Sequence, residues 1–143
     1  MTILIRHFAE TDRTLLRRVY LQARQEHFNW LNPMALSLTD FDTDTVDETI
    51  WVGEHDGETV GFISVWQPEN FIHHLFVLPR FKRQGYGTAL LASGLQTLGR
   101  PAWLKCVAEN KTALDFYQIN GWIQESRGDE QGGEFYRMEY AVQ

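Results

Sequence analysis

The chain predicts an α/β domain built as a mixed, mostly antiparallel sheet flanked by helices, and three observations carry that expectation. Two strand-like runs, "TIWVGE" and "TVGFISVW", flank "HDGE", whose Asp-Gly pair signals a tight hairpin turn. The nearly continuous apolar run "FIHHLFVL", residues 71–78, reads as a strand covered on both faces. Beyond it, segments of helical period alternate with further strands, which puts helices on the faces of the sheet.

Taken in order, "TILIRHF" at 2–8 has the β-propensity of a first strand. Residues 13–27 then set Leu15, Leu16, Val19, Tyr20 and Ala23 on one helical face, with Thr11 or Asp12 as N-cap. The stretch 28–48 reads as irregular, aromatic at first ("FNWLNP") and then acidic ("DFDTDTVDE"). The hairpin follows, then the turn "QPEN" and the strand 71–78, which Pro79 ends. A helix near 86–98 repeats Leu90, Leu91, Leu95 and Leu98 at helical spacing, and "AWLKCVAE" at 102–109 is the next strand. Asn110 caps a helix over 111–119 that closes at Gly121. The last two strands, around "WIQES" and "EFYRMEYAV", are joined by a loop containing "GDEQGG". With no repeat and no break in composition, residues 1–143 read as one domain.

Composition narrows the function classes. At 43% hydrophobic and 22% charged residues the chain is neither disordered nor fibrous, and 143 residues bury a single core. No apolar run approaches the ~20 residues of a membrane span, and "MTILIRHFAE" is too briefly apolar for a signal peptide. The lone Cys106 precludes an internal disulfide and fits a reducing, cytoplasmic setting. A net charge of −6 argues against nucleic acid or an anionic membrane as partner and tilts toward a cationic one, such as an amine.

The segment "KRQGYGTALL", residues 82–91, sets Gly85 and Gly87 between a basic cluster and an apolar helix start. Leu90 stands where a dinucleotide fingerprint needs its third glycine, and no P-loop pattern is present. What remains is a strand, a basic turn and a helix N-terminus whose unpaired N–H groups suit a phosphate, with a pyrophosphate as natural guest.

"LFVLPRFKRQGYGTALL" together with the later "NKTALDFYQINGW" resembles the GNAT superfamily of acetyl-CoA-dependent N-acetyltransferases. Val77-Leu78-Pro79, Gly85, Gly87, Asn110, Ala113, Tyr117 and Gly121 fall at matching places, with Trp122 for the usual Phe. Lys82 departs from the usual Arg or Gln, keeping the charge without the planar fork. The resemblance implies a GNAT-like domain that uses acetyl-CoA as cosubstrate. It implies that Lys82, Arg83, Gln84, Gly85, Tyr86, Gly87 and Thr88 cradle the pyrophosphate, that Leu75, Phe76 and Val77 bind the pantetheine, and that Asn110 touches the same arm while capping its helix.

Direct acetyl transfer to a primary amine needs a base for the amine and an acid for the departing thiolate. By resemblance Tyr117 is the acid, since a phenol with pKa about 10 is protonated at neutral pH; the alternative is a core tyrosine. His73 is the candidate base, alone or through water, with Glu109 as a weaker alternative. As neighbours on a strand, His73 and His74 point to opposite faces and do not chelate a metal together, and His73 shares its face with Phe71, Leu75 and Val77. No metal is expected: "DFDTDTVDE" starts like an EF-hand but has Thr45 and Trp51 at the positions of the required Gly and Glu, so it reads as a solvated acidic loop. Phe28 and Trp30 are candidates for the lip of the acceptor pocket, and Cys106 reads as a small core residue. The acceptor, a small-molecule amine or a peptide or protein amine, is not readable, and the protein is expected to be a monomer or homodimer. The competing reading is an acyl-CoA-binding or regulatory domain without turnover.

Overall fold

The computed structural model describes residues 3–27, 36–130 and 133–142. Along the chain lie β1 (Ile3–His7), α1 (Arg13–His27), α2 (Asp40–Asp44), β2 (Thr49–His55), β3 (Glu58–Trp66), β4 (Phe71–Val77), α3 (Tyr86–Gln96), β5 (Ala102–Val107), α4 (Lys111–Ile119), β6 (Ile123–Glu130) and β7 (Gly133–Tyr140). The strands form one seven-stranded sheet in the order β1-β2-β3-β4-β5-β7-β6. Every neighbouring pair is antiparallel except β4 with β5. The expected mixed, mostly antiparallel sheet is therefore present.

The turn at "HDGE" places Asp56 at φ 51° and Gly57 at φ 79°, the left-handed pair that a two-residue hairpin with the twist of its strands requires. The strand alternation then sends Ile50, Val52 and Phe62 to one face, against Leu16, Val19 and Tyr20 of α1 and Phe41 of α2. Ile63, Val65 and Ile72 go to the other, against Leu90, Leu91 and Leu95 of α3. Burial of these two apolar sets is the main driving force for closing the layers. Leu15 is 41% exposed, so the inner stripe of α1 is narrower than its sequence suggests. No helix among the described residues is long and apolar enough to cross a membrane.

Three expectations are corrected. The acidic stretch is not a solvated loop. Asp40 to Asp44 form α2, with Asp40 paired to Arg24 and Asp42 to Arg13 and Arg17, so the acids bind the basic face of α1. The start of "GDEQGG" is not a loop either, because Gly128, Asp129 and Glu130 pair with Phe135, Glu134 and Gly133 and carry β6 toward the hairpin tip. Asp12 serves a short 3-10 turn ahead of α1, its carboxylate accepting from the Ala9 N–H at 2.8 Å.

Two irregularities open the sheet. β4 pairs in parallel with β5 only through Phe71↔Trp103 and Ile72↔Leu104. On its other side, β4 pairs Val65↔Ile72 but Ser64↔His74, which leaves His73 as the extra residue of a bulge. A bulge bends its strand and strengthens the local twist, and beyond it β4 runs away from β5.

Candidate active site

The gap between β4 and β5 is the centre of the site. One cavity, about 570 Å³, lies along it and is lined by Leu75, Phe76 and Val77 of β4, by the turn ahead of α3, and by Asn110, Phe116 and Tyr117. A second, about 380 Å³, opens toward α1 and includes Tyr20, Arg24, His73, His74 and Lys105. Leu75, Phe76, Asn110, Ala113 and Tyr117 belong to both. The volumes fall within the range of small-molecule sites.

The turn is built by backbone geometry. Arg83 has φ +63° and Gly85 φ +87°, both left-handed. Gly85 suits that conformation and Arg83 holds it under strain. The first bond of α3 runs from the Ala89 N–H to the Gly85 carbonyl at 3.1 Å, so the N–H groups of Tyr86, Gly87 and Thr88 precede it. A Cβ added at Gly87 would meet Phe116 at 3.3 Å and Val77 at 3.9 Å, so this glycine lets α3 close on α4 and β4.

Lys82, Arg83, Gly85, Gly87 and Thr88 line the first cavity. Gln84 and Tyr86 do not contribute side chains there. The Gln84 amide donates to the Arg80 carbonyl at 3.1 Å, and the Tyr86 ring is buried against Phe81 and His55. Tyr86 therefore offers the turn its main-chain groups alone.

Asn110 caps α4, its Oδ1 accepting from the Ala113 N–H at 3.2 Å, and the helix ends on Gly121 at φ +94°. This fixes Tyr117 on the inner face, edge-on to Phe116 and Trp122. Burial raises the Tyr117 phenol above its ordinary value, with Cys106 nearby adding to the effect. Burial likewise pushes the Cys106 thiol up to about 11, which fits a small core residue.

The histidine pair departs from simple strand alternation. The bulge removes His73 from register, so the His73 and His74 rings stack at 3.9 Å and do not face opposite ways. It also puts Ile72, not Phe71, on the face of Leu75 and Val77. His74 packs edge-on to Tyr20 at 4.9 Å, and burial, followed by the neighbouring His73, lowers its pKa to about 3. Tyr20 donates to Asp44 at 2.6 Å and lies under the Arg24 guanidinium, which bonds Asp40. Burial first, then Asp44, raises the Tyr20 phenol.

Several lining residues escaped the sequence reading: Phe81, Thr112 and Phe116 in the first cavity, and Tyr20, Arg24, Lys105 and Cys106 in the second. Glu48 was missed too, although it lies against His73. Glu109 is exposed and lines neither cavity. Phe28 and Trp30 lie outside the described residues.

A family model described as the acetyltransferase (GNAT) family matches residues 9–122. The peptidyl-lysine N-acetyltransferase YiaC of Escherichia coli (strain K12) is 35% identical over 72 residues, which are 50% of this chain and 48% of that protein. The matched part of the chain thus spans about half the length of this curated relative. Among solved structures, a GCN5-related N-acetyltransferase from Rhodopseudomonas palustris superposes with a TM-score of 0.82 at 15% identity, covering 99% of this chain and 97% of that one. The PaiA N-acetyltransferase from Thermoplasma acidophilum, in complex with coenzyme A, does so with a TM-score of 0.80 at 19% identity, covering 99% and 100%. At these identities the structures speak for the fold. Since the family model takes in most of the sequence, the chain belongs to the acetyltransferase (GNAT) family.

Proposed function

We propose that the protein moves the acetyl group of acetyl-CoA directly onto a primary amine, with the donor in the first cavity and the amine in the second. The observation that carries this reading is the junction of the two cavities at Tyr117. A thioester reaching that point from one side meets an amine from the other. Positioning supplies much of such a reaction's acceleration.

The turn at Lys82 to Thr88 suits the pyrophosphate, with cationic side chains beside unpaired helix N–H groups. Leu75, Phe76 and Val77 offer an apolar strip and main-chain groups for the pantetheine. Asn110 borders that strip while capping α4. At the junction the amine nitrogen attacks the thioester carbon as His73 accepts its proton. The C–S bond then breaks and Tyr117 protonates the sulfur. A phenol raised by burial is fully protonated at neutral pH and available for that step. The similarity to a named peptidyl-lysine acetyltransferase makes a lysine side chain in a peptide or protein the first acceptor to try. The single buried thiol suits a reducing compartment such as the cytoplasm.

Calorimetric titration with acetyl-CoA, CoA and a pantetheine lacking the nucleotide tests the seat. Saturable binding that requires the pyrophosphate is expected, followed by thiol release when lysine peptides and other amines are added. Absence of binding at millimolar donor would overturn the reading. Binding without thiol release from any amine class would favour a CoA-binding domain without turnover.

A further inference from the structure

Glu48 sits between α2 and β2 with its side chain only 5% exposed, an expensive place for a carboxylate unless it is bonded. Both of its oxygens are engaged: Oε1 accepts from the Ser64 hydroxyl, and Oε2 lies 2.5 Å from His73 Nδ1. We propose that Glu48 is the positioning residue that makes His73 the base, holding the imidazole by Nδ1 and turning Nε2 with its lone pair toward the amine in the second cavity. This rests on the acetyl-transfer reading above.

The bulge explains how an acid 25 residues away reaches this ring. Without a cross-strand partner, His73 leans out of the ladder toward Glu48, while its side chain remains 43% exposed to the second cavity. A carboxylate offers only lone pairs, so Nδ1 carries the hydrogen and Nε2 is left to accept one. The stacked His74 ring restrains rotation from behind, and its burial keeps that second imidazole neutral.

Donor atoms of Glu48, His73 and His74 lie within 4.8 Å of one another, which raises the question of a metal. Two ligands on a tetrahedral zinc stand about 3.3 Å apart. The Nδ1–Oε2 contact at 2.5 Å is a hydrogen-bond distance instead. In this structure the carboxylate and the His73 imidazole are bonded to each other.

In the transfer, Nε2 takes the amine proton as the C–N bond forms and the C–S bond breaks, and the imidazolium stands against the Glu48 carboxylate. The sulfur takes the Tyr117 proton. His73 then releases its proton to water and Tyr117 regains one from water, which restores both groups. Among the described residues, the other titratable groups around His73 include Tyr20 and Arg24 from α1, Lys105 and Cys106 from β5, His74 from its own strand and Tyr117 from α4, with Asp44 of α2 behind Tyr20 and His74. Arg24 is itself paired with Asp40, and Glu48 is the acid in direct contact with the His73 ring.

Imidazole NMR of the uniformly labelled protein tests the pair without any acceptor. In the unaltered protein His73 is expected as the Nδ1–H tautomer at high pH, and Glu48→Gln should lower its titration midpoint by at least about one pH unit. An Nε2–H tautomer or an unmoved midpoint overturns the proposal. If Glu48→Gln does not fold, the tautomer in the unaltered protein decides. With a lysine peptide and acetyl-CoA, the acidic limb of kcat/KM should shift by the same amount while KM for acetyl-CoA stays put. Glu48→Gln combined with His73→Gln should be no slower than His73→Gln alone, and losses that multiply would overturn the pairing. If the peptide is not turned over, the acceptor choice falls, and the NMR titration still judges the pair.

Discussion

Tyr117 stands where the two cavities meet, and its burial keeps the phenol neutral across the physiological range. Tyr117→Phe is expected to lower kcat by about 10²-fold, with acetyl-CoA affinity unchanged by calorimetry. An unaltered rate at every pH would remove the acid from the mechanism. Gly85 is tested differently, because at φ +87° any side chain costs about 1–2 kcal/mol. Gly85→Ala should weaken acetyl-CoA binding while leaving far-UV circular dichroism unchanged, since a Cβ there meets nothing within 4 Å. At this scale, residues named by short local spacing, such as Gly85, Gly87 and Asn110, were legible in the sequence. Glu48 was not, because its meeting with His73 spans 25 residues and depends on a bulge. That the Tyr86 ring turns inward, leaving its main chain to the turn, was not legible either, because a pattern of residue types does not say which way an aromatic ring points.

The elements were read well wherever periodicity is strong. The Asp-Gly hairpin lies where its turn chemistry puts it, and residues 13–27 and 111–119 are helical over the expected spans. What periodicity misses is the departure from period. No glycine or proline marks the bulge in β4, so strict alternation sent His73 and His74 to opposite faces. The acidic stretch was misread because α2 is stabilised by arginines on α1, a tertiary effect that local composition does not show. Gly61 tests how closely β3 and β4 are joined. A Cβ there would lie 2.1 Å from the Phe76 carbonyl oxygen, a main-chain atom that cannot step aside alone. Gly61→Ala is expected to lower unfolding stability by about 3 kcal/mol, measured by urea denaturation. A change below about 0.5 kcal/mol, the usual effect at a neutral site, would show that the strands separate easily.

Across the whole molecule, Arg6 joins Asp12 at 2.8 Å and Glu54 at 2.7 Å, tying β1 to the start of α1 and to β2. The Arg6 hydrogen bond, aided by the Ala9 N–H, holds the Asp12 carboxyl below its usual range although burial opposes it. A carboxylate depressed in the folded state stabilises it fully above its unfolded value, about 3.9, and loses that contribution as pH falls through the folded value. The difference in Tm between the protein and Asp12→Asn should thus be full at about pH 6 and shrink toward about pH 3, followed by scanning calorimetry. A constant difference would mean that the charge of Asp12 does not matter.

The parting of β4 from β5 also has a mechanical meaning. Strands β1 to β4 and β5 to β7 are laced together by only two parallel pairs, so the sheet has a seam at its middle. Main-chain amides of Leu75 to Val77 on the seam side should take up deuterium faster than those facing β3. A guest lying in the seam would act as a missing strand, slowing that uptake and stiffening one half against the other. At a hundredfold excess over Kd the same guest adds about 2.7 kcal/mol to global stability, so the protein would borrow part of its rigidity from what it binds.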